Sequence, residues 1–581
     1  MLEYKDYEEK IKKLTRLNFM HKNKIVSFFE KAFTQFNMSD QKKILEVFEK
    51  SNSISRWNIF LEHNKNVKKI ILSESEKYLN IFLTESDITK SFDFAKFAEV
   101  YLNTNNNNLN DDLITSILQK ISNITAKDIN IIKTTEVKNI LAYYIKELAW
   151  NSHNDEYINN IKNGESYKIF EQLLCEFIES VDCKDNLYNN ELLVLLSETQ
   201  NAIGSESIVK KINEKFPVKI DLDKYDVKNI SEDEKENLYN DLIIYRMQNG
   251  IIPKDFCIYL TNCENNKMLR RISNIDYIKY YLKENQLENA TVFFDEQLMF
   301  PGIANFRRLA LNNKKLNEQS FHEATHVIQQ ENLLVRRDFS ENKYAMLKDF
   351  ILQKRVDWQV YNSNHSRWLF EIDADIEGAK HYYQYLKDIE GIFPGNSEMS
   401  VDEINECIEF KTVEKERRIQ DSKTINIDGE EKNKSQLFDE ILMREPELLM
   451  KHPILQIEYN PDGSRKTLGK VLASIEQKYT IDKNEEEILG IANCIFCDVQ
   501  SISDNEYAEF ASYISNSTII SSIKKQVIKQ VEQLKKTKSM LQLGIESIGS
   551  IETTYIDQTA QGIEMQDKML REGQTQDSQN L

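Results

Sequence analysis

Glycine and proline are scarce in this chain, 15 and 7 among 581 residues, where about 12% for the pair is usual. So few turn and breaker residues exclude extended β-architectures and collagen-like or Gly/Pro-rich disordered classes. Cysteine is sparse too: seven residues, an odd number that does not make a disulfide framework and points to a reducing compartment. Cys494 and Cys497 form one CxxC without a second ligand pair or a βαβ context, so both read as small apolar residues of a buried helix. Long hydrophobic runs are missing. Leu192–Leu196 is typical, far short of the ~20 residues that span a bilayer. The N-terminus lacks the basic and apolar segments of a secretory signal. A cytoplasmic protein is expected, with signal-less export left open. Positive charge is in deficit, 75 Lys+Arg against 94 Asp+Glu for a net −19, which argues against nucleic acid and against an anionic membrane as partners.

What the chain does have is apolar mass: 40% hydrophobic residues, including 28 Phe and 26 Tyr, enough for sizeable cores. The fold class expected is mainly α. Residues 1–215 contain no proline and only two glycines, Gly164 and Gly204. Their apolar residues recur at helical spacing, as in Ile44, Val47 and Phe48, so this is an all-α region for recognition or scaffolding. Composition changes at Lys215–Lys224, where the first proline coincides with period-2 alternation. Short β-like runs follow at Phe256–Leu260 and Thr291–Phe294, and Ile278–Leu287 is helical, so 216–400 is expected to be an α+β domain. Residues 401–550 return to charged helix, broken by a turn at Tyr459–Ser464. Val527, Val531, Leu534, Leu541, Ile545 and Ile548 make a coiled-coil-like stripe, interrupted by Lys538. Residues 551–581 read as a flexible polar tail.

The segment that carries chemistry is Ser320-Phe-His-Glu-Ala-Thr-His-Val-Ile-Gln-Gln330. It holds H-E-x-x-H as His322, Glu323 and His326. With 8 histidines in 581 residues, the pattern is expected by chance about 0.01 times. Phe321, Ala324, Val327 and Ile328 form an apolar stripe, and Ser320 with Glu323 fits a capping box, so the segment is expected to be a helix. Positions i and i+4 share a helix face, so both imidazoles can converge on one ion. Glu323, about 100° round the helix, is placed to face a water instead. Asn332 stands where a metzincin would place its last histidine, and Gln329 replaces the glycine of that pattern. A better candidate for a third ligand downstream is Glu371, in Arg367–Lys380. Asp375 lies four residues on and on the same face, while Asp373 points away at about 200°. Ala374, Gly378 and Ala379 would let this helix approach another closely, and Gly391 and Pro394 mark its end.

On His322, Glu323, His326, Glu371 and Asp375, the chain resembles the gluzincins, the thermolysin-like branch of zinc metallopeptidases, whose pattern is H-E-x-x-H followed by a helix bearing E-x-x-x-D. The resemblance covers about 60 residues. It implies a zincin-like catalytic domain at 216–400 with one Zn2+ per chain, Glu371 as third ligand and Asp375 hydrogen-bonding a ligand histidine. Two neutral imidazoles and a carboxylate leave zinc an open position, where it lowers the pKa of water towards ~7 and polarises a carbonyl. Glu323 is then the general base.

The expected function is a zinc-dependent endopeptidase acting on a protein or peptide, in a regulatory or effector role, with a protein partner for the helical regions. Two alternatives stand beside it: a non-catalytic helical interaction protein whose zinc site is structural or vestigial, and a zinc hydrolase of a non-peptide bond.

Overall fold

The structure, a computed structural model, describes residues 1–544 except 17–21, 53, 87, 106–108, 264–265, 297, 299, 313–314, 341–342, 500–501 and 520. The expected tail, 551–581, lies outside the described residues, as do Ile545 and Ile548 of the stripe. The fold is mainly helical, with one three-stranded and one two-stranded sheet among the described residues. No helix is long and apolar enough to cross a membrane, among the residues described.

Contacts divide the chain into two compact units. The first takes Met1–Arg336 and Phe370–Gln420; the second takes Arg337–Leu369 and the chain from Asp421 onward.

In the first unit, helices from the N-terminus onward share one continuous apolar core with the elements that carry the motif. Those elements are α1 (Glu191–Ile203), α2 (Glu232–Asn249), α3 (Lys254–Thr261), α4 (Lys267–Glu284), β1 (Thr291–Phe294), β2 (Gly302–Asn305), β3 (Arg308–Leu311), α5 (Glu318–Gln330), α6 (Leu369–Ile392) and α7 (Val401–Asp421). Helix α4 is buried along most of its length, polar residues included. Two of its buried charges, Arg271 and Asp276, are matched in pairs. Asp276 accepts two hydrogen bonds from Arg246 of α2 (3.0 and 2.8 Å) and one from the Ile252 amide (3.0 Å). Arg271 donates twice to Glu198 of α1, at 2.8 Å each, and Glu198 also accepts from the Phe294 amide of β1. Buried ions without partners would cost several kcal/mol; paired in this way, they fix how α1, α2, α4 and β1 register.

The sheet runs β1-β3-β2, parallel between β1 and β3 and antiparallel between β3 and β2. The turn between β2 and β3 puts Phe306 at φ 57°, and helix α5 holds it. The Phe306 amide donates to the Gln330 side chain, and Arg307 makes a two-pronged ion pair with Glu331 at 2.8 and 2.6 Å.

Two β expectations are corrected. Phe256–Leu260 lies in helix α3. A short apolar run looks alike in a strand and in a helix buried on most sides, and Phe256, Cys257, Ile258 and Leu260 are all buried. Lys215–Lys224 forms no strand. Its alternating main-chain groups are met by one side chain: Gln248 donates to Phe216 O and Val218 O and accepts from Ile220 N. Thr291–Phe294 is a strand as expected, β1.

The second unit packs helices including Lys343–Gln353, Lys434–Arg444, Leu468–Asp482 and Glu485–Cys497, beside a hairpin of Thr424–Ile427 and Glu430–Asn433. Buried Lys348 lies between Glu458 and Asp498, and Lys434 pairs with Asp349. The Tyr459–Ser464 turn forms, with Gly463 at φ +82°. Helix Ser521–Gly544 buries Val527 and Val531 and packs on Glu485–Cys497. Cys494 is buried there, but Cys497 is exposed, which corrects the expectation for the second CxxC residue.

Candidate metal centre

Helix α5 carries the motif. Its N-cap is Asn317, which forms the capping box with Ser320; the expected Ser320–Glu323 box is not used. The shift matters, because Glu323 is thereby free of the cap and faces the site. Phe321, Ala324, Val327 and Ile328 are buried, as the stripe requires. Phe321 meets the rings of Tyr277 and Tyr281 on α4, and the Tyr281 and Thr325 hydroxyls are 2.9 Å apart. The inner face of α5 is thus anchored to α4, which leaves His322 and His326 turned towards α6.

Helix α6 crosses α5 closely at Gly378. A Cβ there would stand 2.5 Å from the His322 amide nitrogen and 2.8 Å from its Cα. Only glycine permits that approach, and it brings Glu371 to the histidines.

Three acceptor atoms then converge. His322 Nε2 lies 3.1 Å from His326 Nε2, and each lies 3.2 Å from Glu371 Oε2. Four donors set tetrahedrally about an ion at 2.0–2.1 Å are separated by about 3.3 Å, so this triangle has the size of one face of a zinc site. The side chains of His322 and Glu371 are only 5% and 3% exposed.

The tautomers fit as well. His322 Nδ1 is 2.8 Å from Asp375 Oδ1; a carboxylate only accepts, so the proton on that side stays on Nδ1 and Nε2 is the nitrogen that can be freed to bind an ion. His326 Nδ1 is 2.8 Å from Gln329 Oε1. The amide's other end, Nε2, donates to Phe370 O (2.8 Å) and Asp373 Oδ2 (2.9 Å). Both of those are acceptors, so the amide cannot be flipped, and His326 must donate from Nδ1. With His322 neutral, two lone pairs and a carboxylate oxygen face one point, a donor set suited to a cation.

In the metal-free protein a proton competes for that place. Burial opposes charge on His322, but Asp375 and Glu371 outweigh it and push its pKa up to about 10. His326 is raised by Glu371 against the same opposition from burial. Burial would raise the Asp375 carboxyl, yet His322 and Arg418 hold it below the usual range. Glu323 moves the other way. Desolvation raises it, against the pull of His326 and His322, and Gln319 donates to it at 3.2 Å. A carboxylate raised in this manner is better suited to take up a proton near neutral pH.

Glu323 also borders the sheet. A Cβ at Gly302 of β2 would come within 2.9 Å of Glu323 Cγ. Strand β2 is the last in the sheet order. Pro301 O accepts from Asn312 N, so the alternation turns the N–H and C=O groups of Gly302 and Ala304 to the outer edge.

Every predicted site residue, His322, Glu323, His326, Glu371 and Asp375, falls in this one cluster. Asp373 meets Gln329 and Lys415. Sequence reasoning missed Gln329, although it stands three residues after His326 and so on the same helix face. It also missed Lys415 and Arg418, for which no local signal exists. No known family model matches the chain, and no curated protein sequence matches it.

Proposed function

We propose that this chain is a zinc-dependent endopeptidase, with His322, His326 and Glu371 as ligands and Glu323 as general base. The observation that carries the reading is the 3.1–3.2 Å triangle of Nε2, Nε2 and Oε2, with both imidazoles held through their Nδ1 atoms so that the Nε2 atoms turn to one point. Zinc, when bound, supplies Lewis acidity towards a scissile carbonyl and towards water. The protein does the rest. Asp375 and Gln329 orient the two rings. Glu323, desolvated beside Gly302, takes a proton from the attacking water at its carboxylate and returns it to the leaving amine. Strand β2 ends its sheet, and the outward peptide group of half-buried Ala304 offers a point at which an extended peptide can pair beside Glu323, which favours a peptide over other hydrolysable substrates.

The test is Glu323→Gln, assayed on peptide libraries with zinc counted by mass spectrometry. Loss of cleavage by about 10²–10⁴-fold, with one zinc per chain retained, is expected. Wild-type protein that holds no zinc refutes the reading. Zinc-loaded wild type that leaves every peptide intact but turns over an ester or a non-peptide amide reassigns the bond. Activity unchanged in Glu323→Gln makes the zinc structural.

A further inference from the structure

The carboxylate and amide that orient the two histidines are themselves held, and both from the same helix. Lys415 Nζ on α7 lies 2.6 Å from Asp373 Oδ1 and 2.9 Å from Glu377 Oε1. Three residues on, Arg418 Nη2 lies 3.1 Å from Asp375 Oδ2. Positions i and i+3 share a helix face, so one face of α7 supplies both cations. We infer that α7 is the positioning element of the centre: Lys415, through Asp373 and Gln329, sets His326, while Arg418, through Asp375, sets His322. The inference rests on the reading of these histidines as ligands.

The two chains are chemically distinct. In the first, Lys415 holds Asp373 in place, Asp373 takes one N–H of Gln329, and the amide is left with only its oxygen to offer His326. In the second, Asp375 uses one oxygen for Arg418 and the other for His322 Nδ1. Neither cation touches a ligand atom in these contacts, so both are positioning residues. Their ion pairs are partly exposed, with Lys415 30% and Arg418 20% accessible. Pairs this sheltered also contribute to folding, so the melting temperature of each variant is read beside its zinc affinity.

The test uses full-length, metal-free protein titrated with Co2+, followed by its visible absorption, and with Zn2+ against a chromophoric chelator. Lys415→Met and Arg418→Gln are each expected to lower zinc affinity by about 10–100-fold, the usual cost of disturbing a partner of a metal-bound histidine, with one ion per chain still bound. The cobalt absorption should change shape in both. Arg418→Lys should recover part of the loss and Lys415→Arg most of it. Because the chains end on different histidines, the double variant should lose the product of the two factors. Gln329→Leu should reproduce Lys415→Met and add nothing to it. Wild-type affinity and spectrum in Lys415→Met and Arg418→Gln overturn the inference and leave the ligand reading standing. A wild type that binds neither metal overturns both. A loss of affinity that merely tracks a loss of melting temperature, without rescue by the conservative variants, shows a structural role and overturns the inference alone.

Discussion

Replacing Gly378 by alanine tests whether the close crossing of α5 and α6 builds the centre. The added Cβ would stand 2.5 Å from His322 N, 2.8 Å from His322 Cα and 3.0 Å from Phe321 C. Carbon contacts are comfortable at about 3.5–4.0 Å, so the helices must part by about 1 Å. All three atoms are main chain, and no rotamer can turn away. Two effects compete. Alanine is the better helix former by about 1 kcal/mol, while overpacking a filled interior costs about 1–3 kcal/mol; with backbone on the receiving side, the upper end applies. A net loss of about 2 kcal/mol follows. The consequence for the site is larger. Glu371 rides on α6 and both histidines on α5, so parting the helices stretches the two 3.2 Å edges of the triangle, and zinc affinity should fall at least about tenfold. Gly391→Ala, on the same helix with nothing within 4 Å of its Cβ, is the control and should be neutral or slightly stabilising. Melting temperature of the metal-free protein and zinc affinity by chelator competition read the two effects. Equal behaviour of Gly378→Ala and Gly391→Ala in both would refute the reasoning.

The ligands should separate from their supports: His326→Ala and Glu371→Ala abolish stoichiometric zinc, whereas Asp375→Ala weakens it by about 10–100-fold, all read by mass spectrometry after dialysis. In metal-free protein the His322 pKa is raised from 6.5 to about 10. The stability it contributes is therefore complete below about pH 6.5 and is lost as pH rises towards 10. Zinc must displace the same proton, so calorimetry in buffers of different ionisation heat should find protons released at pH 7 and affinity climbing with pH; binding with no proton release would contradict this. In the core, Asp276→Asn leaves fully buried Arg246 without its counter-charge, and urea unfolding should show a loss of about 3–5 kcal/mol. A loss below about 1 kcal/mol would mean that water or another group takes over Arg246.

Much of this was legible in the residues. The scarcity of glycine and proline already implied a helical protein, and the stripe at Phe321, Ala324, Val327 and Ile328 fixed which face of α5 is inward. The small residues about Gly378 implied a close helix approach, and the structure shows where it occurs. Other signals were ambiguous or passed over. Phe256–Leu260 could have been strand or helix until its burial was known. Asp428-Gly429, both at positive φ, is the turn dipeptide of the Thr424–Asn433 hairpin and is readable from sequence.

The sequence by itself determined the donors, their spacing along α5 and the chemistry they can support, because a 3.6-residue helix sets which side chains share a face. Tertiary structure alone decided that Glu371, 45 residues beyond His326, closes the triangle. It alone brought Lys415 and Arg418 of a third helix to the partners of the two histidines. Those contacts depend on how helices cross, and crossing is set by packed shapes, such as the missing Cβ of Gly378, that no local pattern encodes.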